Sequence, residues 1–222
     1  NNDLNISSGT IKAIDHAVYT GKTVTISTGR SPSELVDYKK DLKNIRYYIC
    51  ESGALILDAF KNKILFSKQI PSYVIREILH IASDKNAMFY IVSNGQTMAS
   101  SSYVERIKDF HMERFQDFFN KTCLIKSDIV SEYIHNPFPI EKFNIFSATP
   151  ELREYFVQAL SHLPLEMARA EETSLELSPK NVSKGSGLIK LCECLSIPVE
   201  RTIAVGDSDN DIEILKTAGL SV

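Results

Sequence analysis

The chain has 222 residues, of which 43% are hydrophobic and 24% charged, a balance typical of globular proteins. The formal net charge of −3 and the scattered lysines and arginines give no basic patch, so nucleic acid is excluded as a partner. No apolar run is long enough to cross a membrane, no signal peptide is evident and the four cysteines form no Cys-x-x-Cys pair, so we expect a cytoplasmic protein with reduced thiols.

The N-terminal third predicts a helix and then a strand. Apolar residues recur at helical spacing at Ile11, Ile14 and Val18, after a serine at position 7 or 8 that can cap the helix. Residues 23–30, with the sequence Thr-Val-Thr-Ile-Ser-Thr-Gly-Arg, then predict a β-strand that ends in hydroxyl groups.

A second helix is predicted directly after this strand. Ser31 is a suitable cap, Pro32 occupies the first helical position and Glu34 can complete a capping box. Because a helix N-terminus attracts anions, the hydroxyls of Ser27 and Thr28 are placed to donate to a phosphate oxygen. The alternative is that Thr28 merely fills a strand end, which its β-propensity also favours.

The remaining pattern predicts two domains. Residues 47–50 predict another strand, so helices and strands alternate as parallel βα units on one sheet, and residues 54–57 and 64–67 predict a hairpin. From about residue 72 strands and helices are mixed, with a long aromatic-rich helix expected over residues 103–119. We therefore expect an α/β core domain over residues 1–70 and 180–222, with an α+β domain inserted over residues 71–179.

The chain returns to the core domain with a lysine in an unusual place. Ser183 predicts the cap of a helix, which puts Lys184 at the first helical position. A positive charge there opposes the helix dipole, so the position is locally unfavourable. This indicates either an anion that the lysine neutralises or an ordinary surface lysine.

Acidic residues follow a short apolar strand near the C-terminus. Residues 206–211 read Gly-Asp-Ser-Asp-Asn-Asp, and Asp209 is a plausible cap for the helix that follows. The carboxyl ends of parallel strands are where such sheets bind ligands. Crowded carboxylates repel one another unless a cation lies among them, and hard oxygen ligands suit Mg²⁺. The alternative is a solvated acidic turn.

Four motifs, in their order along the chain, resemble the haloacid dehalogenase superfamily. They are Ser-Thr-Gly-Arg at residues 27–30, Glu-Ser-Gly-Ala at 51–54, Ser-Lys-Gly at 183–185 and the acidic segment 206–211. Within the superfamily they resemble the Cof-type phosphatases, which carry a large cap between the threonine and lysine motifs. The resemblance implies a Rossmann-like parallel sheet core with an inserted α+β cap domain. It also implies Mg²⁺-dependent hydrolysis of a small phosphorylated metabolite, commonly a sugar phosphate, through an aspartyl-phosphate intermediate.

The resemblance also implies roles for residues that contact the phosphate. Thr28, with Ser27 beside it, would hydrogen-bond the transferring phosphoryl group. Lys184 would neutralise the phosphate and the nucleophile. Arg30 is expected to face the cap and the substrate.

The acidic segment would hold the metal. By the same resemblance, Asp207 and Asp211 would bind Mg²⁺ directly or through water, and Asn210 would help to orient the substrate site.

The sequence departs from the family at one important point. The superfamily's nucleophile lies in an Asp-x-Asp-Gly-Thr segment, which the 222 residues lack, and Asp3 cannot replace it because no apolar strand precedes it. The family usually also continues beyond the point where residues 219–222 end this chain. We therefore expect a stretch of a longer enzyme that is inactive by itself. A smaller departure is Ser52, where the family often has an Asn that contacts the substrate.

Two other functions remain open at this point. The missing Asp pair is compatible with a non-catalytic module that binds phosphorylated metabolites. Within the enzyme class, a phosphomutase-type phosphotransferase would use the same motifs.

Overall fold

The computed structural model describes residues 5–222, apart from the side chain of Asp209. The exclusion of Asp3 as a nucleophile and the capping role of the Asp209 side chain therefore lie outside the described part. The chain divides into two compact units. The discontinuous unit comprises Asn1–Phe66 and Ser183–Val222, and the inserted unit comprises Ser67–Val182.

The first part of the discontinuous unit alternates helices and strands. Ser7 caps the first helix, because its hydroxyl accepts a hydrogen bond from the Thr10 amide at 3.1 Å. The elements are α1 (Ser8–Tyr19), β1 (Thr25–Ser27), a 3-10 helix (Pro32–Tyr38), β2 (Tyr47–Cys50), a 3-10 turn (Glu51–Gly53), β3 (Leu55–Asp58) and β4 (Lys63–Ser67).

The capping box predicted at Ser31 is present. The Ser31 amide donates to a Glu34 carboxylate oxygen at 2.6 Å, as the sequence pattern predicts. The segment that it opens is helical, as predicted, and takes the tighter 3-10 form over seven residues.

These strands form a four-stranded sheet in the order β1-β2-β3-β4. Strand β1 pairs parallel with β2, with Ser27 opposite Ile49, and β2 pairs antiparallel with β3. The side chains of Ile49 and Cys50 are completely buried, which places β2 at the centre of the core. The predicted strands are therefore confirmed, and β1 ends beside the start of the Glu51–Gly53 turn.

The inserted unit is built on a six-stranded sheet with helices on both faces. Its strand order is β7-β6-β5-β8-β10-β9, and only the β6–β7 pair is parallel. The elements are α2 (Ser72–Ala82), β5 (Ala87–Ser93), β6 (Gln96–Ser100), α3 (Ser101–Glu105), α4 (Gln116–Thr122), β7 (Cys123–Lys126), α5 (Ile129–His135), β8 (Lys142–Ser147), α6 (Pro150–Ala159), β9 (Leu165–Arg169) and β10 (Ser174–Pro179).

Alternate residues of the central strands fill two separate cores. On one face, Phe143 and Ile145 of β8 pack with apolar residues of α2, α5 and α6. On the other face, Phe146 packs with Met88, Tyr90 and the aromatic residues between β6 and β7. The period-2 pattern of the strands thus buries apolar side chains on both sides of the sheet.

The region between β5 and β7 differs from its prediction. The helix expected over residues 103–119 is broken into α3, two 3-10 turns and α4, and His111 between them has a left-handed backbone with φ of 58°. Strand β6 was not predicted. The Asn94-Gly95 pair that joins it to β5, with positive φ at both residues, is a typical hairpin signal that identifies it.

Polar contacts hold the two ends of the inserted unit. Lys68 donates to the carbonyl oxygen of Lys180 at 2.7 Å, which ties the entering segment to the leaving one. The Asn181 amide donates to Glu166 at 2.8 Å, and Ser67 donates to the buried Glu141 at 2.8 Å. The two chain ends of this unit are therefore held close together.

The chain then completes the discontinuous unit. The elements are α7 (Lys184–Leu195), β11 (Ile203–Ala204), a 3-10 turn (Asp209–Asp211), α8 (Ile212–Thr217) and β12 (Leu220–Ser221). Strand β11 pairs parallel with β12 in a sheet of its own. In the described part of the chain these two strands are therefore separate from the four-stranded sheet. Helix α7 packs Leu188, Leu191 and Cys192 against Ile49.

Two further expectations concern the described chain as a whole. Among residues 5–222, no helix is both long and apolar enough to span a membrane. No disulfide joins the four cysteines, all of which lie in the described part.

The buried aromatic residue of α6 provides a test of this fold. Phe156 is completely buried in the core between α6 and the six-stranded sheet, so Phe156→Ala should lower the free energy of unfolding by about 3–5 kcal/mol. Its neighbour Tyr155 is 44% exposed, and Tyr155→Ala should cost less than about 1 kcal/mol. Urea denaturation of both variants measures the two values, and equal losses would contradict the assigned packing.

Candidate active site

Helix α7 begins with a capping box that holds Lys184 in place. The Ser183 hydroxyl accepts a hydrogen bond from the Ser186 amide at 3.1 Å, and the Ser183 amide donates to the Ser186 hydroxyl at 2.9 Å. Lys184 is the first residue of the helix and only 6% exposed. Its buried ammonium group therefore needs an anionic partner.

That partner is the acidic segment of the same unit. Lys184 Nζ donates to Asp211 Oδ1 at 2.6 Å and to Asn210 Oδ1 at 2.7 Å. The alternative of an ordinary surface lysine is wrong, because both members of the ion pair are largely buried. In the structure, the positive charge beside the acidic segment 206–211 is therefore that of Lys184.

The second oxygen of Asp211 is held by the preceding turn. Asp211 Oδ2 accepts hydrogen bonds from the amides of Asp207 and Ser208, both at 3.2 Å, and lies 3.0 Å from the Ser208 hydroxyl. A side chain at Gly206 would place its Cβ only 2.5 Å from Asp211 Cβ, so glycine is needed for this close turn. The Asp211 carboxylate is fixed in one orientation as a result.

These contacts determine the protonation state of Asp211. Burial acts to raise the pKa of Asp211, but hydrogen bonds from Lys184 and Ser208 and the positive charge of Lys184 outweigh it. The pKa of Asp211 therefore lies below its ordinary value of 3.8, and the carboxylate is ionised at neutral pH.

The donor set is compatible with Mg²⁺ bound through few protein ligands. The Asp207 side chain is exposed, which leaves its carboxylate accessible, whereas both oxygens of Asp211 already accept hydrogen bonds. Mg²⁺ commonly uses one or two carboxylates together with water and phosphate oxygens. Across the residues whose side chains are described, no three His, Cys, Asp or Glu residues cluster as a complete metal site.

The strand end at Thr28 is a second polar network. The Thr28 amide donates to the Ile49 carbonyl oxygen at 2.9 Å, and Thr28 Oγ1 accepts from the Arg30 amide at 3.1 Å. Because the Thr28 hydroxyl oxygen already accepts that bond, its own proton is available to donate. The Ser27 hydroxyl is buried and has no hydrogen-bond partner in the described part of the chain.

Arg30 lies against an aromatic ring of its own unit. Its guanidinium carbon is 5.5 Å from the centre of the Tyr38 ring, and one of its nitrogens is 3.5 Å from the Tyr38 hydroxyl. This stacking directs the long side chain along the 3-10 helix. That Arg30 faces a cap and a substrate stays a prediction.

Direct contacts thus unite some of the predicted residues. Lys184, Asn210 and Asp211 touch one another, and Asp207 joins them through its amide. Ser27, Thr28 and Arg30 belong to the other network, at the end of β1.

Sequence reasoning missed two parts of the site. Ser208 bonds to Asp211, and a hydroxyl inside an acidic run is the signal that indicates such a contact. The turn of Glu51 and Ser52 has φ values of 54° and 56°, a left-handed conformation that costs of the order of 1 kcal/mol or more for each non-glycine residue. Neither residue type indicates such a conformation in the sequence.

Comparison with known proteins agrees with this arrangement. The model of the haloacid dehalogenase-like hydrolases matches residues 1–222. The chain belongs to this family. The match confirms the resemblance predicted from the four motifs, and the likeness to solved structures confirms the predicted α/β core.

Three relatives illustrate the similarity. A phosphatase of Bacillus subtilis, YwpJ, is 28% identical over 95% of this chain and 80% of its own length. The 5-amino-6-(5-phospho-D-ribitylamino)uracil phosphatase YcsE of the same organism is 27% identical over 100% of this chain and 78% of its own. The solved structure of a haloacid dehalogenase-like hydrolase from B. subtilis superposes with a TM-score of 0.81 at 22% identity, covering 100% of this chain and 84% of the other.

The Lys184–Asp211 pair should dominate the stability of this site. Asp211→Asn leaves the Lys184 ammonium buried without a counter-charge, and we expect a loss of roughly 3–5 kcal/mol at pH 7. The control is Glu213→Gln on α8, which breaks an exposed pair with Lys216 and should cost less than about 1 kcal/mol. Urea denaturation at pH 7 measures both.

The same variant has a defined pH dependence. A carboxylate whose folded pKa is depressed stabilises the protein above its ordinary pKa, and this stability is lost as the pH falls through the folded pKa. The advantage of the wild type over Asp211→Asn should therefore be complete above about pH 5 and shrink below about pH 4. An advantage that stays constant down to pH 3 would contradict the assigned ion pair.

Proposed function

We propose that the protein is a Mg²⁺-dependent phosphatase that hydrolyses phosphomonoesters of small, sugar-like metabolites. The covalent chemistry is proposed for the parent protein, meaning this chain together with an upstream Asp-x-Asp-Gly-Thr segment. The observation that supports the proposal most strongly is the buried contact of Lys184 with Asn210 and Asp211, beside the exposed carboxylate of Asp207.

The Lys184 network is suited to phosphoryl transfer. Catalysis of this reaction depends on fixed positive charges and donors near the equatorial oxygens of the phosphoryl group. Lys184 is held by the capping box and by Asp211, so its ammonium group needs no reorganisation when a substrate binds. Its role is to offset the negative charge of the phosphoryl group.

The Thr28 network would supply a neutral donor. The Arg30 amide fixes the Thr28 oxygen, which leaves the hydroxyl proton for a phosphoryl oxygen. The buried, unpartnered hydroxyl of Ser27 is a second candidate donor in the same strand end. Hydrogen-bond donors of this kind stabilise the charged oxygens of the phosphoryl group while its bond to the substrate's alcohol oxygen breaks.

Asp207 and Asp211 would hold the metal. Asp207 is the candidate for direct coordination because its carboxylate is exposed, and Asp211, already bonded to Lys184, would act through water. When bound, Mg²⁺ would supply positive charge that offsets the negative charge of the phosphoryl group. Asn210 would keep Lys184 aimed at the same place.

The substrate class rests on the relatives. YcsE is named for a substrate that carries a phosphorylated ribityl chain, a polyhydroxylated alcohol. We extend to this protein only the chemical class, a phosphate ester of a small hydroxylated molecule.

Turnover of p-nitrophenyl phosphate by the parent protein tests the proposal. Thr28→Val and Lys184→Met should each lower kcat about 100-fold or more, because each removes a group aimed at the phosphoryl oxygens. Lys190→Met removes an exposed lysine of the same helix, paired with Glu193, and should leave kcat unchanged. Equal losses in all three variants would contradict the assigned roles.

Metal removal is part of the same test. EDTA should abolish turnover and added Mg²⁺ should restore it. Asp207→Asn should raise the Mg²⁺ concentration needed for half-maximal activity at least about 10-fold. Turnover that EDTA does not change would contradict the proposed dependence on Mg²⁺.

A second candidate is a non-catalytic module that binds phosphorylated metabolites. The observation in its favour is that the Lys184 contacts and the Thr28 hydroxyl could bind a phosphoryl group without any nucleophile. Isothermal titration calorimetry of the 222-residue chain with inorganic phosphate and Mg²⁺ addresses it. Binding that depends on Lys184, together with a parent that lacks both the Asp pair and turnover, would favour the module. Turnover by the parent would favour the phosphatase.

A further inference from the structure

The turn after β2 has an unusual backbone. Glu51, Ser52 and Gly53 have φ values of 54°, 56° and 105°, so three consecutive residues adopt left-handed conformations. Only glycine does so without strain. Strained backbone persists where surrounding contacts determine it, and it concentrates at functional sites.

One side of this turn holds the strand end that carries Thr28. The Ser52 amide donates to the Thr28 carbonyl oxygen at 3.0 Å, and the Glu51 amide donates to the Arg30 carbonyl oxygen at 3.0 Å. These bonds join the turn to the segment that follows β1, beyond the last paired residues of β1 and β2, Ser27 and Ile49. The backbone on both sides of the Thr28 hydroxyl is therefore tied to the turn.

The other side of the turn holds the start of α7. A Cβ at Gly53 would overlap the Ser183 carbonyl oxygen and lie 3.2 Å from the Gly187 amide nitrogen. A Cβ at Gly187 would lie 2.9 Å from Gly53 Cα and 2.5 Å from Ile49 Cγ2. The turn therefore packs backbone against backbone beside Ser183, the residue directly before Lys184.

We propose that Ser52 and Gly53 are positioning residues that fix the separation between the Thr28 hydroxyl and the Lys184 ammonium group. Backbone hydrogen bonds join the turn to the Thr28 loop, and close backbone packing joins it to the first turn of α7. Neither connection runs through a flexible side chain, so the backbones that carry the two groups are held at a fixed separation, and Asp211 in turn holds the Lys184 ammonium group. The inference rests on the proposed function for what these groups bind.

Hydrogen exchange measured by mass spectrometry tests the mechanical part of the inference without any ligand. Gly53→Ala should raise exchange both at residues 49–54 and in the first turn of α7, about 10-fold at each. The matched control is Gly21→Ala, which imposes the same left-handed strain at φ of 81°. A Cβ at Gly21 would meet no other group within 4 Å. Its effect should stay at the end of α1. Gly53→Ala exchange confined to residues 49–54 would overturn the inference.

A double-mutant cycle tests the functional part in the 222-residue chain. Inorganic phosphate binding with Mg²⁺ is measured by calorimetry for wild type, Gly53→Ala, Lys184→Met and the double variant. Gly53→Ala should weaken binding about 10-fold in the wild type and less than about 2-fold in the Lys184→Met background, because its effect passes through Lys184. Equal weakening in both backgrounds would show a merely structural role and overturn the inference.

A milder variant covers the case in which Gly53→Ala does not fold. Ser52→Gly relieves the left-handed strain and adds backbone freedom to the turn. It should weaken phosphate binding about 2–5-fold while the thermal midpoint is unchanged or higher. A higher midpoint with unchanged affinity would overturn the inference. Absence of phosphate binding by the wild type would instead contradict the proposed function, and the exchange experiment would still decide the mechanical part.

Discussion

The ion pair between Lys184 and Asp211 is the contact on which the candidate site depends. A buried ammonium group is costly unless it is paired and hydrogen-bonded, and Asp211 and Asn210 provide both. The pair also holds the start of α7 to the turn before α8. This favourable contact offsets the unfavourable position of a lysine at a helix N-terminus.

Local sequence signals predicted much of the site. Ser183 caps α7 as expected, and of the two alternatives for Lys184 the structure shows the one with a nearby anion. The sequence did not show that this anion is Asp211, because the pairing depends on how α7 packs against α8. The left-handed turn at Ser52 was equally hidden, since tertiary contacts and not residue preference impose it.

The fold was predictable where periodicity was strong. Strand β2 has the limits that its apolar run indicates, whereas β6 is short and polar and is identified only by its Asn94-Gly95 turn. The broken helix before β7 shows the opposite case. Its aromatic residues fill a core on one face of the six-stranded sheet, and this packing outweighs the local helical pattern.

The bond between Lys68 and Lys180 has a consequence for the order of folding. The two parts of the discontinuous unit are separated in sequence by the whole inserted unit, and closing so long a loop is entropically costly. The inserted unit has cores of its own, and its folding brings the two chain ends together. Early folding of that unit would shorten the effective loop, so the two parts of the discontinuous unit would meet at a lower entropic barrier.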